Sequence, residues 1–448
     1  MKKPNVIFVF ADQWRASAFG YAGDTNVQTP NLDYFARHSH NFKNAVASSP
    51  VCTPYRATLM TGQFAHEHGL FVNDVPLQPK YPTFGERFKK AGYDTAYIGK
   101  WHIDGNGRSN YIPPERRFGF DFWRVLECTH RYNDSLYYHQ DETEPRQWEG
   151  YDATAQTDEL IDYLEDHNQE NPFLMLLSWG PPHAPYDTAP EKYKNMYQPA
   201  DIELPPNVPA EKAEWSKETL AGYYAHCTAL DDQWQRIVDK VNDLGIAEDT
   251  ILVFRSDHGD MIGSQGEEKK QRPWTESLNV PFLLQYPKLK PAAEYESVFN
   301  SVDILPTLLG LCDIDQGEGI SGLDYSTYLK GTGALDPKAQ GALIQCVSPF
   351  GQYTREGYGG KEFRGLRTTR YTYVKDLQGG WLLYDNQEDP FQLINQIHNP
   401  DYADIIKKLN EDLVDELALH NDEFKDGWYY IHKWGYITDD EGTVGFEW

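Results

Sequence analysis

The chain is short of cysteine, of long apolar runs and of positive charge, and each shortage excludes a class of protein. Only five cysteines occur in 448 residues: Cys52, Cys128, Cys227, Cys312 and Cys346. They are scattered, odd in number and free of any C-x-x-C pair, so neither a disulfide framework nor a zinc knuckle is expected. Four of them read as ordinary buried thiols. The N-terminal apolar run, Val6 to Ala11, stops at Asp12, too soon for a signal-peptide core or a membrane span. It reads as a first β-strand. As given, the sequence carries no export signal: it is cytoplasmic as written, and periplasmic or secreted if a leader has been removed.

Basic residues number 41 against 68 acidic ones, for a formal charge of −27. That balance excludes non-specific binding to nucleic acid or to an anionic membrane, and an anionic ligand needs a local basic pocket. No internal repeat or low-complexity linker divides the chain.

What is present suits a large cored domain with a smaller one attached, since 40% of the residues are hydrophobic and single cores seldom exceed roughly 250–300 residues. Continuous apolar runs at 6–11, 93–98, 172–178 and 250–254 read as strands covered on both faces. Helical patterns lie between them at 31–37, 83–92, 153–167 and 217–244. The alternation predicts a largely parallel α/β sheet. From about Gln340 the texture changes to antiparallel strands within 362–374 and 381–385, then a helix at about 402–420. We therefore expect a catalytic domain at 1–340 and an α+β subdomain at 341–448.

In open α/β sheets, ligands collect beyond the carboxyl ends of the strands. Asp12 and Gln13 follow the first strand, and Asp257 and His258 follow the strand at 250–254. Two carboxylates, an amide oxygen and an imidazole drawn from distant segments make a plausible divalent-cation site. Lys100 and His102 follow the strand at 93–98, and His183 follows the strand at 172–178. Cys52 stands just before a helical segment in which Pro54 suits the first turn. There free N–H groups and the helix dipole favour an anion, and Arg56 lies one turn on.

Asp12-Gln13, Cys52-Thr-Pro-Tyr-Arg56 with Thr61-Gly62, Gly99-Lys100-Trp-His102, Pro182-His183 and Ser256-Asp257-His258-Gly259, in this order, resemble the type I, formylglycine-dependent sulfatases of the alkaline-phosphatase-like superfamily. The segments 364–371 and 383–390 look like that family's closing part, so the likeness spans nearly the whole chain. The resemblance implies a large mixed, mostly parallel sheet flanked by helices, with a C-terminal antiparallel sheet. It implies a bacterial enzyme hydrolysing sulfate esters of a polysaccharide or oligosaccharide, with Cys52 oxidised to formylglycine by a generating enzyme or an anaerobic maturase. The hydrate of residue 52 is then the nucleophile, and Asp12, Gln13, Asp257 and His258 hold the metal. Arg56, Lys100, His183 and Lys270 meet the sulfate, His183 is the general acid, and His102 takes the proton that expels sulfate. Lys270 is matched by its place before a Pro-aromatic-x-Glu-Ser run, with Lys269 and Arg272 adjacent.

Many members carry Asp in place of Gln13 and Asn in place of His258. Calcium is the family's ion, while the imidazole also admits manganese or zinc. Two rivals remain open. Related phosphonate monoester and phosphodiester hydrolases share the cysteine motif but lack the Lys and His of G-K-x-H. A binding protein for sulfated glycans, with Cys52 unconverted, is the alternative of another class. Aromatic stretches at 131–139 and 428–434, and polar insertions at 103–150 and 187–215, suit a sulfated sugar, although core packing accounts for aromatics equally well.

Overall fold

Residues 3–447 are described by the computed structural model. Strand β1 (Asn5–Asp12) is buried along its whole length and splits its side chains between two cores. Val6, Phe8 and Phe10 face one, and Ile7, Val9 and Ala11 face the other. An unbroken apolar run is what a strand covered on both faces requires.

Nine further strands complete the sheet: β2 (His40–Val46), β3 (Asp94–Lys100), β4 (Phe122–Leu126), β5 (Leu136–His139), β6 (Arg146–Gln147), β7 (Phe173–Pro182), β8 (Thr250–Ser256), β9 (Phe282–Gln285) and β10 (Glu294–Asn300). Their order is β10-β2-β9-β8-β1-β7-β3-β4-β5-β6. The central strands β8, β1, β7, β3 and β4 run parallel, while β9, β5 and β6 pair antiparallel with their neighbours. Parallel strands bring their carboxyl ends to one edge, where Ala11 is in register with Ser256 and Asp12 with Pro182.

Helix Ala213–Asp243 covers one face with Leu220, Tyr223, Cys227, Leu230, Trp234, Ile237 and Val241, a spacing of three and four that forms a single apolar stripe. Replacing the fully buried Trp234 by Ala would cost about 3–5 kcal/mol. Helices Cys52–Thr61, Phe84–Lys90 and Ile304–Leu311 cover the other face. Helix Cys52–Thr61 ends at Gly62, whose φ of 69° is the left-handed stop that glycine accepts readily.

The second sheet, β11 (Gly341–Cys346), β12 (Phe363–Thr368), β13 (Tyr371–Asp376) and β14 (Gly379–Asp385), is antiparallel throughout. Helix Ala403–Leu419 packs Leu409 and Leu413 against Leu343, Leu366 and Leu383. The opposite face shares a core with Val46, Leu278 and Val298.

One sequence expectation is corrected. The segment 103–150 is no simple polar insertion, because it carries β4, β5 and β6 at the sheet edge. Core packing accounts for Tyr132, Tyr137, Tyr138 and Tyr430 of the aromatic stretches, while Tyr429 and Trp434 are exposed. Among the described residues no helix is long and apolar enough to cross a membrane.

Candidate active site

Cys52 is the first residue of its helix, with Val51 extended before it and Pro54 third in the first turn, where a missing N–H removes no intrahelical bond. Its Sγ lies 3.6 Å from Asp12 Oδ1, 3.3 Å from His258 Nε2 and 3.2 Å from Lys270 Nζ. Burial and Asp12 push the thiol up, but Lys100, Lys270 and His258 outweigh them and hold it well below the ordinary cysteine range.

The candidate ligand atoms of Asp12, Cys52, Asp257 and His258 all lie within 4.8 Å of one another, and all four residues are buried. Asp257 Oδ2 has no hydrogen-bond partner among the described residues. A buried carboxylate oxygen left open beside a second carboxylate is what a divalent cation satisfies. His258 turns Nδ1 toward the Gly259 carbonyl at 3.0 Å, so the Nδ1–H tautomer leaves the Nε2 lone pair facing the cluster. Gln13 donates through Nε2 to Asp260 Oδ2 at 2.6 Å and to the Tyr186 hydroxyl, while its Oε1 accepts from Lys270 at 2.8 Å. That network fixes which end of the amide is oxygen. Gln13 holds φ at 71°, costing about 1–3 kcal/mol, and its N–H donates to Asp257 Oδ1 at 2.9 Å.

Lys100 places Nζ 2.6 Å from Asp12 Oδ2, at the end of β3. Gly99 before it has φ of 98°, and a Cβ there would lie 2.1 Å from the Ser178 carbonyl oxygen of β7, so only glycine lets the two strand ends meet. Burial would raise the Asp12 carboxyl, but Lys100, His183, Lys270 and His258 hold it well below the usual range. Arg56 differs from the sulfate contact expected of it. Its guanidinium reaches Asp12 Oδ2 at 3.3 Å and Asp257 Oδ2 at 3.6 Å, and donates to the Lys100 carbonyl and Ser178 Oγ at 2.6 and 2.8 Å. It is absent from the cleft lining and stands behind the carboxylates as their counter-charge.

Of the three adjacent cations, Lys270 is the one at Cys52. Arg272 turns away to Glu267 Oε2 at 2.9 Å, and Lys269 lines the cleft farther along. His102 directs Nε2 to Asp74 Oδ1 at 3.2 Å, and His183 directs Nδ1 to the Ala184 carbonyl at 2.8 Å. Burial lowers the His102 pKa, but Cys128 and Asp74 carry it well above the ordinary value. His183 moves the other way, held well below the ordinary value by burial, Lys270 and His130. Cys52, Lys100, His102, His183 and Lys270 share one cleft of about 490 Å³.

Comparison with known proteins decides the family. A family model described as Sulfatase matches residues 4–314, and one described as N-sulphoglucosamine sulphohydrolase, C-terminal, matches residues 264–418. An ulvan-active sulfatase of Formosa agariphila is 42% identical over 97% of this chain and 85% of its own. An endo-4-O-sulfatase of Bacteroides thetaiotaomicron is 30% identical over 95% of this chain and 93% of its own. The crystal structure of a protein designated sulfatase yidJ, from Bacteroides fragilis, superposes with a TM-score of 0.85 at 28% identity, covering 96% of this chain and 98% of that one.

The chain belongs to the sulfatase family. It is a sulfuric ester hydrolase of the alkaline-phosphatase-like fold.

Sequence reasoning missed the residues that hold the sulfatase's cleft in shape. Asp74 receives Arg108 Nε and Nη2 at 2.9 and 2.8 Å besides facing His102. His130 stacks on His183 with ring centroids 4.5 Å apart. Asp260, two residues past His258, orients Gln13, and its short spacing from the cation motif was the available signal. Asp74, Arg108 and His130 lie in segments without periodicity, where no local pattern marks them. The C-terminal segment contributes Phe350, Gly351, Gln352, Thr443, Val444 and Phe446 to the cleft wall, with the Arg108 guanidinium 3.4 Å from the Phe446 ring centroid.

Proposed function

We propose that this sulfatase releases inorganic sulfate from a sulfated carbohydrate, with residue 52 acting as nucleophile after oxidation of Cys52 to formylglycine by a maturation enzyme. The observation that carries this reading is the placement of Cys52 at a helix N-terminus, touching Lys270 and the Asp12–His258 cluster on the cleft floor. The ulvan-active relative supports a polysaccharide substrate. Lys100 and His102 both line the cleft, which favours sulfate esters over phosphonate monoesters.

Asp12, Asp257 and His258 fit a divalent cation, since they offer two carboxylates and an imidazole nitrogen around an unsatisfied buried oxygen, and Gln13 would add an amide oxygen now accepting from Lys270. We take calcium as the ion, with manganese and zinc the alternatives that a nitrogen donor admits. When bound, the ion lowers the pKa of the attacking hydroxyl and polarises a sulfate oxygen.

The chain's own residues do the rest. Lys100, paired with Asp12, and Lys270, at residue 52, neutralise sulfate oxygens as charge shifts toward the leaving alkoxide. Arg56 orients Asp12 and Asp257 and supplies positive charge behind them. His183, with Nδ1 engaged by Ala184, presents Nε2 to the leaving oxygen as the general acid. Burial and the neighbouring cations keep it neutral in the free protein, and an anionic ester beside Lys270 offsets them and favours its charged form. His102, its Nε2 turned to Asp74, accepts through its other ring nitrogen the proton of the second hydroxyl when sulfate departs, a role that requires the imidazole to be neutral at that step.

Mass spectrometry on the peptide containing residue 52, read together with sulfate release from a panel of sulfated glycans, tests the reading. Conversion of thiol to aldehyde with turnover is the expected result. Glycan binding by unconverted protein without sulfate release would leave a binding protein instead, and near-native turnover in Cys52→Ala would remove residue 52 from the mechanism.

A further inference from the structure

The cleft holds one cation more than the scissile sulfate uses. Lys100 is paired with Asp12, Lys270 lies at Cys52, and Arg108 is committed to Asp74. Lys269 also lines the cleft, half-buried, yet among the described residues its ammonium has no hydrogen-bond or ion-pair partner. The acids close to it in sequence are each taken. Glu268 holds Lys212 at 2.6 Å, Glu267 holds Arg272 at 2.9 Å, and Asp260 receives Gln13 and Tyr186. Of the charges around it, Asp260 and Glu268 attract it without forming an ion pair among the described residues, and Lys270 repels it. An unpaired, partly desolvated ammonium is unfavourable, and in a chain of formal charge −27 it would be simple to neutralise.

Its backbone is fixed rather than loose. The Lys269 carbonyl accepts from Met261 N–H at 2.7 Å, and Gln271 Nε2 donates to the Phe350 carbonyl at 3.0 Å. Lys269 and Gln271 sit at φ of 61° and 70°, so the segment is held in the left-handed region on both sides of Lys270. That twist lets two successive lysines face the same cleft, where an extended strand would send them to opposite sides. Lys270 takes the position at Cys52, and Lys269 lines the same cleft without touching residue 52.

We propose that Lys269 is an anion subsite, and that it binds a second anionic group of the substrate, a carboxylate or another sulfate ester, carried near the scissile sulfate. The inference rests on the sulfatase reading and narrows the substrate to carbohydrates with at least two negative charges close together. A charge-assisted contact of this kind contributes to ground-state and transition-state binding alike, so it acts on KM more than on kcat.

The test compares the native full-length protein with Lys269→Met and Lys269→Arg by initial rates of sulfate release. The probes are 4-nitrophenyl sulfate, a digest of a uronate-bearing sulfated polysaccharide before and after chemical reduction of its carboxylates, and a digest of a uronate-free, multiply sulfated galactan. Lys269→Met is expected to raise KM about tenfold or more on a digest that carries the second anion, to leave 4-nitrophenyl sulfate within about threefold, and to be rescued by Lys269→Arg. A penalty that disappears on carboxyl reduction identifies the second group as a carboxylate; one confined to the galactan, or surviving reduction, identifies a sulfate. Equal penalties on all probes, or none on any digest, overturn the subsite. Release of sulfate by the native protein upholds the hydrolase whichever way Lys269 behaves, so the two readings fail separately.

Discussion

Lys100 Nζ lies 2.6 Å from Asp12 Oδ2, and both side chains are almost wholly removed from solvent. A buried ion pair adds little to stability beyond well-packed apolar residues, but removing one partner leaves the other charge stranded. Both charges of this pair act on Cys52, and the proposed mechanism gives Lys100 a catalytic use. Lys100→Met should therefore lower kcat/KM about 10²–10³-fold by removing a cation aimed at the sulfate. Arg56 remains at 3.3 Å from the same Asp12 oxygen, so the folded state should survive with a modest drop in Tm. Steady-state kinetics and thermal unfolding check both halves, and unchanged kcat/KM would confine Lys100 to a structural role.

Asp257 leads to a prediction about the cation. Its Oδ2 has no hydrogen-bond partner among the described residues, and burial with Asp12 nearby pushes its pKa up to about 6 despite His258 and Arg56, so the positive charge around it falls short of what two buried carboxylates need. Chelation should lower Tm, and a divalent ion at a thousand times its Kd should restore about 4 kcal/mol. In Asp257→Asn that chelator-sensitive shift should nearly vanish. Titrating calcium, manganese and zinc separately into stripped protein ranks the ions, and a Tm indifferent to chelator in the native protein would contradict the assignment of these four residues.

How far this arrangement could be read in the sequence depended on whether the signal was local. Strand β1 was legible because burial on both faces demands an unbroken apolar run, and Asp12 could be placed at its end for the same reason. Cys52 and Arg56 were legible because a short motif and helix geometry sit together. Lys270 is separated from Lys269 and Arg272 by its place in a motif alone, since the physical choice depends on left-handed backbone at Lys269 and Gln271 and on Glu267 claiming Arg272. Arg56 reads as a sulfate ligand on spacing alone, and only the fold shows Asp12 and Asp257 in front of it. The strands in 103–150 were hidden because two of them are very short and lie at the half-exposed sheet edge. The wall built by Phe350 to Gln352 and Thr443 to Phe446 depends on chain reversal over hundreds of residues, for which no local pattern exists.

His183 separates leaving groups. Its Nδ1 is engaged by the Ala184 carbonyl at 2.8 Å, so in the proposed mechanism the protonated ring donates through Nε2 to the departing oxygen. A sugar alkoxide needs that proton, whereas a nitrophenolate leaves readily without it. His183→Ala should thus cost about 10²–10⁴-fold in kcat on sugar sulfates and less than about tenfold on 4-nitrophenyl sulfate. Equal losses on both would move the acid role to another residue.

His420 links the C-terminal helix to the catalytic half and makes part of that link depend on pH. Its Nδ1 lies 3.5 Å from Glu67 Oε1 and its Nε2 3.2 Å from Glu416 Oε1, with the ring edge against Phe64. Burial lowers its pKa, but the two carboxylates more than reverse that and raise it to about 9. A histidine whose folded pKa exceeds its unfolded value stabilises fully below the unfolded value, near 6.5, and loses that contribution as pH rises toward 9. Allowing for solvent screening of a partly exposed group, the contribution is about 1–2 kcal/mol. His420→Gln should therefore lower the unfolding free energy by that amount at pH 6, while native and variant curves converge above pH 9. Denaturant unfolding at a series of pH values gives the difference directly, and a gap that stayed constant from pH 6 to 9 would show that packing against Phe64, rather than charge, accounts for the contact.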